Sequence, residues 1–129
     1  MTYQNILFDV DGTLLDTLSA AVMAAKDTLL ALTGKQYSTD ELRFAFGLPI
    51  SQSAKMLGIS NVREFEECYA QNYKNTAQEH IRVFPGVYEL LKALRERNLL
   101  LGVITSKARW EYEHLFDKFR LKEYFSCTI

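Results

Sequence analysis

Two aspartates, Asp9 and Asp11, follow the first apolar run of the chain, Ile6–Phe8, with one residue between them. A short apolar run that ends near Asp-Gly predicts a strand covered on both faces, whose carboxyl end delivers the two carboxylates to a turn. Residues i and i+2 of an extended strand point to the same face, so both side chains can share one ion. Mg²⁺ prefers carboxylate oxygens combined with water and substrate phosphate. The pair therefore predicts phosphate chemistry at this turn, and ordinary turn formation by Asp and Gly is the alternative.

A second chemical signal lies at Thr105, Ser106 and Lys107, directly after the apolar run Leu99–Ile104. Such a continuous run predicts a fully buried parallel strand. A threonine hydroxyl at its end, together with backbone N–H groups at the start of the next helix, can bind a phosphate oxygen. The alternative is that Thr105 and Ser106 simply cap a helix that begins near Ala108. Lys107 is expected to point to water, as lysines at a helix start usually do.

The remaining candidate residues give weaker signals. His80 and His114 lie in polar helical surroundings, which predicts solvated surface residues. Asp16 falls beyond the first strand and is expected to hold the turn or to cap the first helix. Arg43 and Lys55 could face a phosphorylated substrate, but solvated positions are the simpler expectation.

Composition argues against several functional classes. With 15 basic and 16 acidic residues and a net charge of -1, the chain has no basic excess for binding nucleic acid. Cys68 and Cys127 fit neither a disulfide framework nor zinc-ligand spacing, which favours a reducing compartment. Asp9 interrupts the first apolar run before a signal peptide could form, and no run approaches the roughly 20 apolar residues that cross a bilayer. We therefore expect a cytoplasmic protein without nucleic-acid or membrane partners.

The segment between Asp16 and Arg82 has apolar residues at helical spacing throughout. Ser38 and Glu41 have the spacing of a capping box at the start of one of its helices. The predicted helices run from Leu18 to Leu32 with a stop at Gly34, from Ser38 to about Phe46 before the break Gly47-Leu48-Pro49, from Ser51 to Leu57, and from Val62 to roughly Gln78.

From Arg82 the character of the chain changes, because the break Val83-Phe84-Pro85-Gly86 marks a domain boundary and strand and helix patterns then alternate. The predicted elements are a helix from Val87 to Asn98, a strand at Leu99–Ile104, a helix across Tyr112–Phe119 and a strand at Phe125–Ile129. With the first strand, this order is the βαβ pattern of a doubly wound α/β fold with a parallel sheet. We predict a core made of residues 1–16 and 82–129, with an all-helical module inserted at residues 17–81.

The run at residues 6–16, Ile-Leu-Phe-Asp-Val-Asp-Gly-Thr-Leu-Leu-Asp, resembles the first signature of the haloacid dehalogenase-like (HAD) superfamily of phosphotransferases. The apolar strand followed by Thr-Ser-Lys at residues 105–107 resembles the second motif of the same superfamily. The resemblance implies a Rossmann-like parallel sheet and identifies the module at residues 17–81 with the helical cap that many members carry. A cap at the carboxyl edge of the sheet could exclude water and select the substrate.

The resemblance also implies roles for individual residues. Asp9 would be the nucleophile that forms an aspartyl-phosphate, and Asp11 the general acid and base, with Mg²⁺ as the cofactor at both carboxylates. The phosphate group would be held by four residues, of which Ser106 would contribute mainly its backbone N–H: Gly12, Thr13, Thr105 and Ser106. The break at Gly47 and Leu48 resembles the cap loop that faces the active site in phosphoglycolate phosphatase-like members. Many of these members carry Asn at the position of Ser106, so this chain departs mildly from their pattern there.

The residue at position 11 separates branches of the superfamily. The dehalogenase branch lacks a second Asp, and the phosphonate-cleaving branch has a small residue there and relies on a cap lysine. The resemblance therefore implies a phosphoglycolate phosphatase-like hydrolase of small phosphorylated metabolites. Phosphoglycolate, a sugar phosphate, a nucleotide and pyrophosphate all remain open as substrates. A sugar-phosphate mutase is one alternative, although such relatives typically carry a His where this chain has Leu18–Met23. A non-catalytic interaction module that keeps the fold is the other.

The family pattern extends further than this sequence. A complete member continues with a Lys-Pro segment that supplies a catalytic cation and a strand ending in Gly-Asp that completes the metal site, and neither motif occurs here. We therefore expect a sheet that is incomplete at the carboxyl terminus, with the Asp9 strand at its edge. Such an edge favours self-association. We also expect the 129 residues alone to hydrolyse phosphate esters weakly or not at all.

Overall fold

The computed structural model describes residues 3–75 and 77–129. The strands are β1 (Asn5–Phe8), β2 (Leu15–Asp16), β3 (Arg82–Val83), β4 (Leu100–Val103) and β5 (Cys127–Thr128). The α-helices are α1 (Leu18–Thr33), α2 (Thr39–Leu42), α3 (Ile50–Met56), α4 (Val62–Asn75), α5 (Val87–Glu96) and α6 (Arg109–Lys118), and short 3-10 helices lie at Arg43–Ala45, Ala77–His80 and Lys122–Tyr124. Within the described residues, no helix has the length and apolar character needed to span a membrane.

The chain divides into two compact units. One unit combines the amino-terminal segment up to Asp16 with Arg82–Ile129 and contains every strand named above. The other unit, Thr17–Ile81, contains α1 to α4 and two of the 3-10 helices. The role of this helical unit as a cap stays a prediction.

The first unit is built on a parallel sheet with the strand order β1-β4-β5. Phe8 is paired with Val103, and Val103 with Thr128, so the carboxyl ends of the three strands lie at one edge. This arrangement confirms the predicted α/β class with a parallel sheet. Gly102 allows a close approach at the centre of the sheet, because a Cβ there would lie 2.6 Å from Cδ2 of Leu7.

The faces of β1 differ in burial. Ile6 and Phe8 are half-buried on one face, where the ring of Phe125 lies between Phe8, at 6.1 Å, and Phe116, at 5.5 Å. On the other face Leu7 is 51% exposed. The prediction of a strand covered on both faces is therefore wrong for the described residues, because the aromatic core packs on one face only. β1 pairs with β4 alone within this part of the chain, and self-association through its edge stays a prediction.

A second, antiparallel sheet joins β2 to β3, with Leu15 opposite Val83 and Asp16 opposite Arg82. Asp16 was expected to hold the turn or to cap α1, and the capping interpretation is wrong. Asp16 lies in β2, and the N-cap residue of α1 is Thr17, whose side chain makes no capping hydrogen bond. The sequence does not reveal this pairing, because strands of two residues show no periodicity.

The helical unit follows its predicted pattern closely. α1 ends at Thr33 and is capped by Gly34, whose N–H donates to the carbonyl of Leu30. Ser38 with Glu41 forms the predicted capping box. The core of the unit is a cluster of four buried residues on four different helices: Leu29, Leu42, Ala54 and Phe65. α4 ends at Asn75, short of the predicted end near Gln78, where the structure has the 3-10 helix Ala77–His80; residue 76 lies outside the described residues.

The capping box predicts a pH dependence of stability. Hydrogen bonds from the backbone and side chain of Ser38 hold the pKa of the Glu41 carboxyl below its ordinary value of 4.5. A lowered pKa in the folded state means that Glu41 contributes stability above pH 4.5, and that this contribution is lost as the pH falls through the lowered pKa.

We expect Glu41→Gln to be less stable than the native chain above pH 4.5, and the difference to vanish as the pH is lowered. Urea unfolding of both proteins across the acid range measures this difference. In a Ser38→Ala background, the pH dependence of the difference should shrink. A difference that grows with acidity would contradict the assignment.

Candidate active site

The loop after β1 is folded around Val10, which is fully buried. Its carbonyl accepts hydrogen bonds from the N–H groups of Thr13–Leu15 at 3.0 to 3.2 Å. Asp9 and Asp11, on either side of Val10, are exposed. Because burial alternates in this way, both carboxylates lie on the solvent side of the loop, as expected for residues i and i+2.

Gly12 makes the turn that follows the two acids. Its φ of +76° lies in the left-handed region, where the backbone of any residue with a Cβ is strained. Its N–H donates to the carbonyl of Leu15 at 2.9 Å, which closes the loop. Gly12 and Thr13 are both exposed, so the structure places these two predicted phosphate-binding residues beside Asp11 at the surface.

The end of β4 brings the second motif to the same edge of the sheet. The N–H of Ile104 donates to the carbonyl of Phe8 at 2.9 Å, and the N–H of Thr105 donates to the carbonyl of Ile129 at 3.2 Å. Asp9 and Thr105 therefore follow neighbouring strands at the same edge of the sheet. This is the edge at which parallel α/β sheets bind ligands.

Thr105 forms a local turn rather than a helix cap. Its Oγ1 accepts the N–H of Lys107 at 3.1 Å, which leaves the hydroxyl proton available to donate to a ligand oxygen. The N-cap residue of α6 is Ala108, which makes no side-chain capping bond, so the helix-cap interpretation of Thr105 and Ser106 is wrong. Ser106 is exposed beside it.

Lys107 does not point to water, which corrects the sequence-based expectation. Its side chain is only 7% exposed, and its Nζ lies 3.1 Å from Oδ1 of Asp11 and 2.8 Å from Oε1 of Glu111. The two carboxylates compensate for the removal of the ammonium group from water. The pairing with Glu111 has the i,i+4 spacing of helical ion pairs and could have been found in the sequence, whereas the pairing with Asp11 could not.

A cavity of about 180 Å³ opens at the carboxyl ends of β4 and β5. Thr105 and Lys107 line it, and Asp9 and Asp11 are not among its walls. Tyr112 and Thr128 also line it, and the Tyr112 hydroxyl shares a hydrogen bond of 2.6 Å with Oγ1 of Thr128. The other lining residues are Arg109, Glu113 and Ile129.

The carboxylates of Asp9 and Asp11 fit a hard dication as part of a ligand set. One oxygen of Asp9 accepts the N–H of Val10 at 2.7 Å, and the Asp11 side chain is 40% exposed. Across residues 3–75 and 77–129, no group of three or more His, Cys, Asp or Glu is arranged to hold a metal ion. Two carboxylates suit Mg²⁺, which commonly takes its remaining ligands from water and substrate phosphate.

The remaining predicted residues belong to other elements than the loops after β1 and β4. Gly47 and Leu48 belong to the helical unit and line an apolar cavity of about 110 Å³ within it. His80 and His114 are exposed, as predicted. The two basic candidates of the helical unit are exposed as well, and the first of them pairs with Asp40 at 3.0 Å: Arg43 and Lys55.

A family model and a curated relative both match this chain over most or all of its length. The family model described as haloacid dehalogenase-like hydrolase matches residues 6–129. Pyrophosphatase PpaX of Bacillus mycoides (strain KBAB4) is 26% identical over 129 residues, which is all of this chain and 60% of the relative. The chain thus spans about 60% of the length of this curated relative.

Two solved structures superpose on the whole of this chain. A Lactobacillus plantarum protein provisionally assigned as a phosphoglycolate phosphatase superposes with a TM-score of 0.87 at 29% identity, over 100% of this chain and 62% of that one. A predicted phosphatase from Clostridium acetobutylicum superposes with a TM-score of 0.89 over 100% of this chain and 61% of its own. At 23% identity, the second likeness shows the fold alone.

Proposed function

Because this chain belongs to the haloacid dehalogenase-like hydrolase family, we propose that the complete protein is a Mg²⁺-dependent phosphatase that cleaves small phosphate monoesters in the cytoplasm. The observation that carries the proposal is the meeting of two motifs at one sheet edge. Asp9 follows β1, Thr105 follows the paired strand β4, and Asp11 is bound to Lys107 from the second motif. The residues that we propose as nucleophile, proton carrier and phosphate-binding hydroxyl thus lie on neighbouring loops.

In the proposed reaction, a carboxylate oxygen of Asp9 attacks phosphorus and the bond to the leaving oxygen breaks. Asp11, in its protonated form, gives that oxygen its proton, so an alcohol departs and an aspartyl-phosphate remains. Asp11 then takes a proton from water as the water attacks phosphorus, which releases inorganic phosphate and restores the Asp9 carboxylate. The Thr105 hydroxyl and the backbone N–H of Ser106 would hold phosphate oxygens, together with the turn at Gly12 and Thr13.

Bound Mg²⁺, held by Asp9 and Asp11, would offset the repulsion between the Asp9 carboxylate and the phosphate. The helical unit Thr17–Ile81 would serve as the cap that selects the substrate. The names of the relatives make pyrophosphate and phosphoglycolate the first substrates to test.

A panel of phosphorylated compounds, incubated with the complete protein, tests this proposal. It should contain phosphoglycolate, pyrophosphate, a sugar phosphate and a nucleotide, each assayed for released phosphate with Mg²⁺ and with a chelator. We expect release from at least one compound, lost on chelation, and weak or no release by the 129-residue chain alone. Movement of phosphate between sugar positions without release would indicate a mutase, and no reaction at all would favour an interaction module.

A further inference from the structure

We propose that Lys107 is a positioning residue that holds the Asp11 carboxylate in place for proton transfer, an inference that rests on the function proposed above. Its ammonium group lies between two carboxylates, 3.1 Å from Oδ1 of Asp11 and 2.8 Å from Oε1 of Glu111. These contacts join the loop after β1 to the first turn of α6. Lys107 belongs to the proposed phosphate-binding motif at residues 105–107. Its contacts therefore hold Asp11, the proposed proton carrier, in a fixed position relative to that motif.

Burial is the first reason to give Lys107 this role. Lysine almost always keeps its charged end in water, yet this side chain is 7% exposed. An ammonium group withdrawn from water loses its hydration and needs full compensation from oppositely charged partners. A buried lysine that is bound on two sides has little freedom to move, so it can act as a fixed point for a more exposed partner.

The second reason is that the two acidic partners of Lys107 differ in how firmly they are held. Glu111, at one end, is 15% exposed and belongs to α6, where its N–H donates to the carbonyl of Ala108 at 3.1 Å. Asp11, at the other end, is 40% exposed on a loop. Glu111 on the helix therefore holds Lys107, and Lys107 in turn holds Asp11. These contacts restrict the orientation of the exposed Asp11 carboxylate.

Orientation matters here because proton transfer requires close approach. A general acid contributes about 10²- to 10⁴-fold to a rate, and a displacement of about 1 Å can cost 10²-fold. Loss of Lys107 should therefore impair only those reactions whose leaving oxygen needs the Asp11 proton. An alkoxide needs this proton, whereas p-nitrophenolate departs without it.

The test compares an alkyl phosphate with p-nitrophenyl phosphate, using the complete protein and its Lys107→Met variant. We expect kcat/KM for the alkyl ester to fall by about 10- to 100-fold, and that for the nitrophenyl ester by less than about threefold. Lys122→Met is the control for removing an ion-paired lysine, because Lys122 pairs with Asp117 of α6 at 2.8 Å outside the site, with its side chain 48% exposed. This control should retain both activities.

Equal losses on the two esters, or no loss on either, would overturn the inference while leaving the proposed phosphatase intact. If the native protein cleaves neither ester, the proposed function fails, and this inference with it. Thermal unfolding followed by circular dichroism checks the fold of each variant. If Lys107→Met is unfolded, Glu111→Gln decides, because it keeps the lysine and removes only its anchor. A smaller loss with the same leaving-group preference is expected, and its absence would overturn the inference.

Discussion

Replacing Asp9 with Asn is expected to lower kcat/KM for phosphate-ester hydrolysis by the complete protein by at least about 10³-fold. A carboxamide cannot act as the attacking nucleophile, and it is a poorer ligand for Mg²⁺ than a carboxylate. The loop itself should survive the change. Oδ1 of Asp9 accepts the Val10 N–H at 2.7 Å, and the amide oxygen of Asn can accept the same bond.

Two measurements make this test specific. Released phosphate is followed for Asp9→Asn and for Asp27→Asn, the same substitution at an exposed position of α1, which should keep its activity within about twofold. Native protein quenched in acid during turnover should carry a phosphoryl group on the peptide that contains Asp9, and the Asn variant should not. An Asp9→Asn protein with near-native turnover would exclude Asp9 as the nucleophile.

Replacing Phe116 with Ala should lower the free energy of unfolding by about 3 to 5 kcal/mol. Phe116 is fully buried, with its ring centre 4.3 Å from that of Tyr112 and 5.5 Å from that of Phe125. The substitution removes apolar contacts and leaves a cavity that surrounding side chains refill only in part. Because Phe125 also contacts Phe8 of β1, the loss should reach the strand that precedes Asp9.

Urea unfolding of the complete protein measures this effect. Phe44→Ala is the matched control, because it makes the same change on a side chain that is 45% exposed, and we expect a loss below about 1 kcal/mol. Equal losses in the two variants would show that Phe116 does not support the core in the way its burial indicates.

The elements that depend on local interactions were predictable from the sequence. Ser38 and Glu41 form the capping box that their spacing predicts, and α1 is capped at the predicted Gly34. β4 lies within the apolar run predicted for it, because a run of this kind needs no information about its neighbours. The prediction that this run is fully buried is wrong near its two ends, since Leu100 is 55% and Ile104 is 49% exposed. The elements that the sequence missed, β2 and β3, are two residues long and exist through their pairing with each other.

The candidate site shows the same division. The motif at Asp9 and Asp11 indicated a loop after a strand, and the structure has this loop. The sequence also left open whether Thr105 binds phosphate or caps the next helix. Its Oγ1 accepts the N–H of Lys107 and the N-cap residue is Ala108, so Thr105 is not the cap, and phosphate binding stays a prediction. Lys107 itself was misplaced, because its partner Asp11 is distant in the chain.

The sequence by itself determined the family motifs, the alternation of strands and helices and the starts of α1 to α5 to within about one residue. These features follow from hydrogen bonds and apolar spacing within a few residues. Tertiary structure alone decided the strand order, the exposed face of β1 and the burial of Lys107 between two carboxylates. Each of these depends on contacts between distant segments, where the environment of a residue is set by what folds against it.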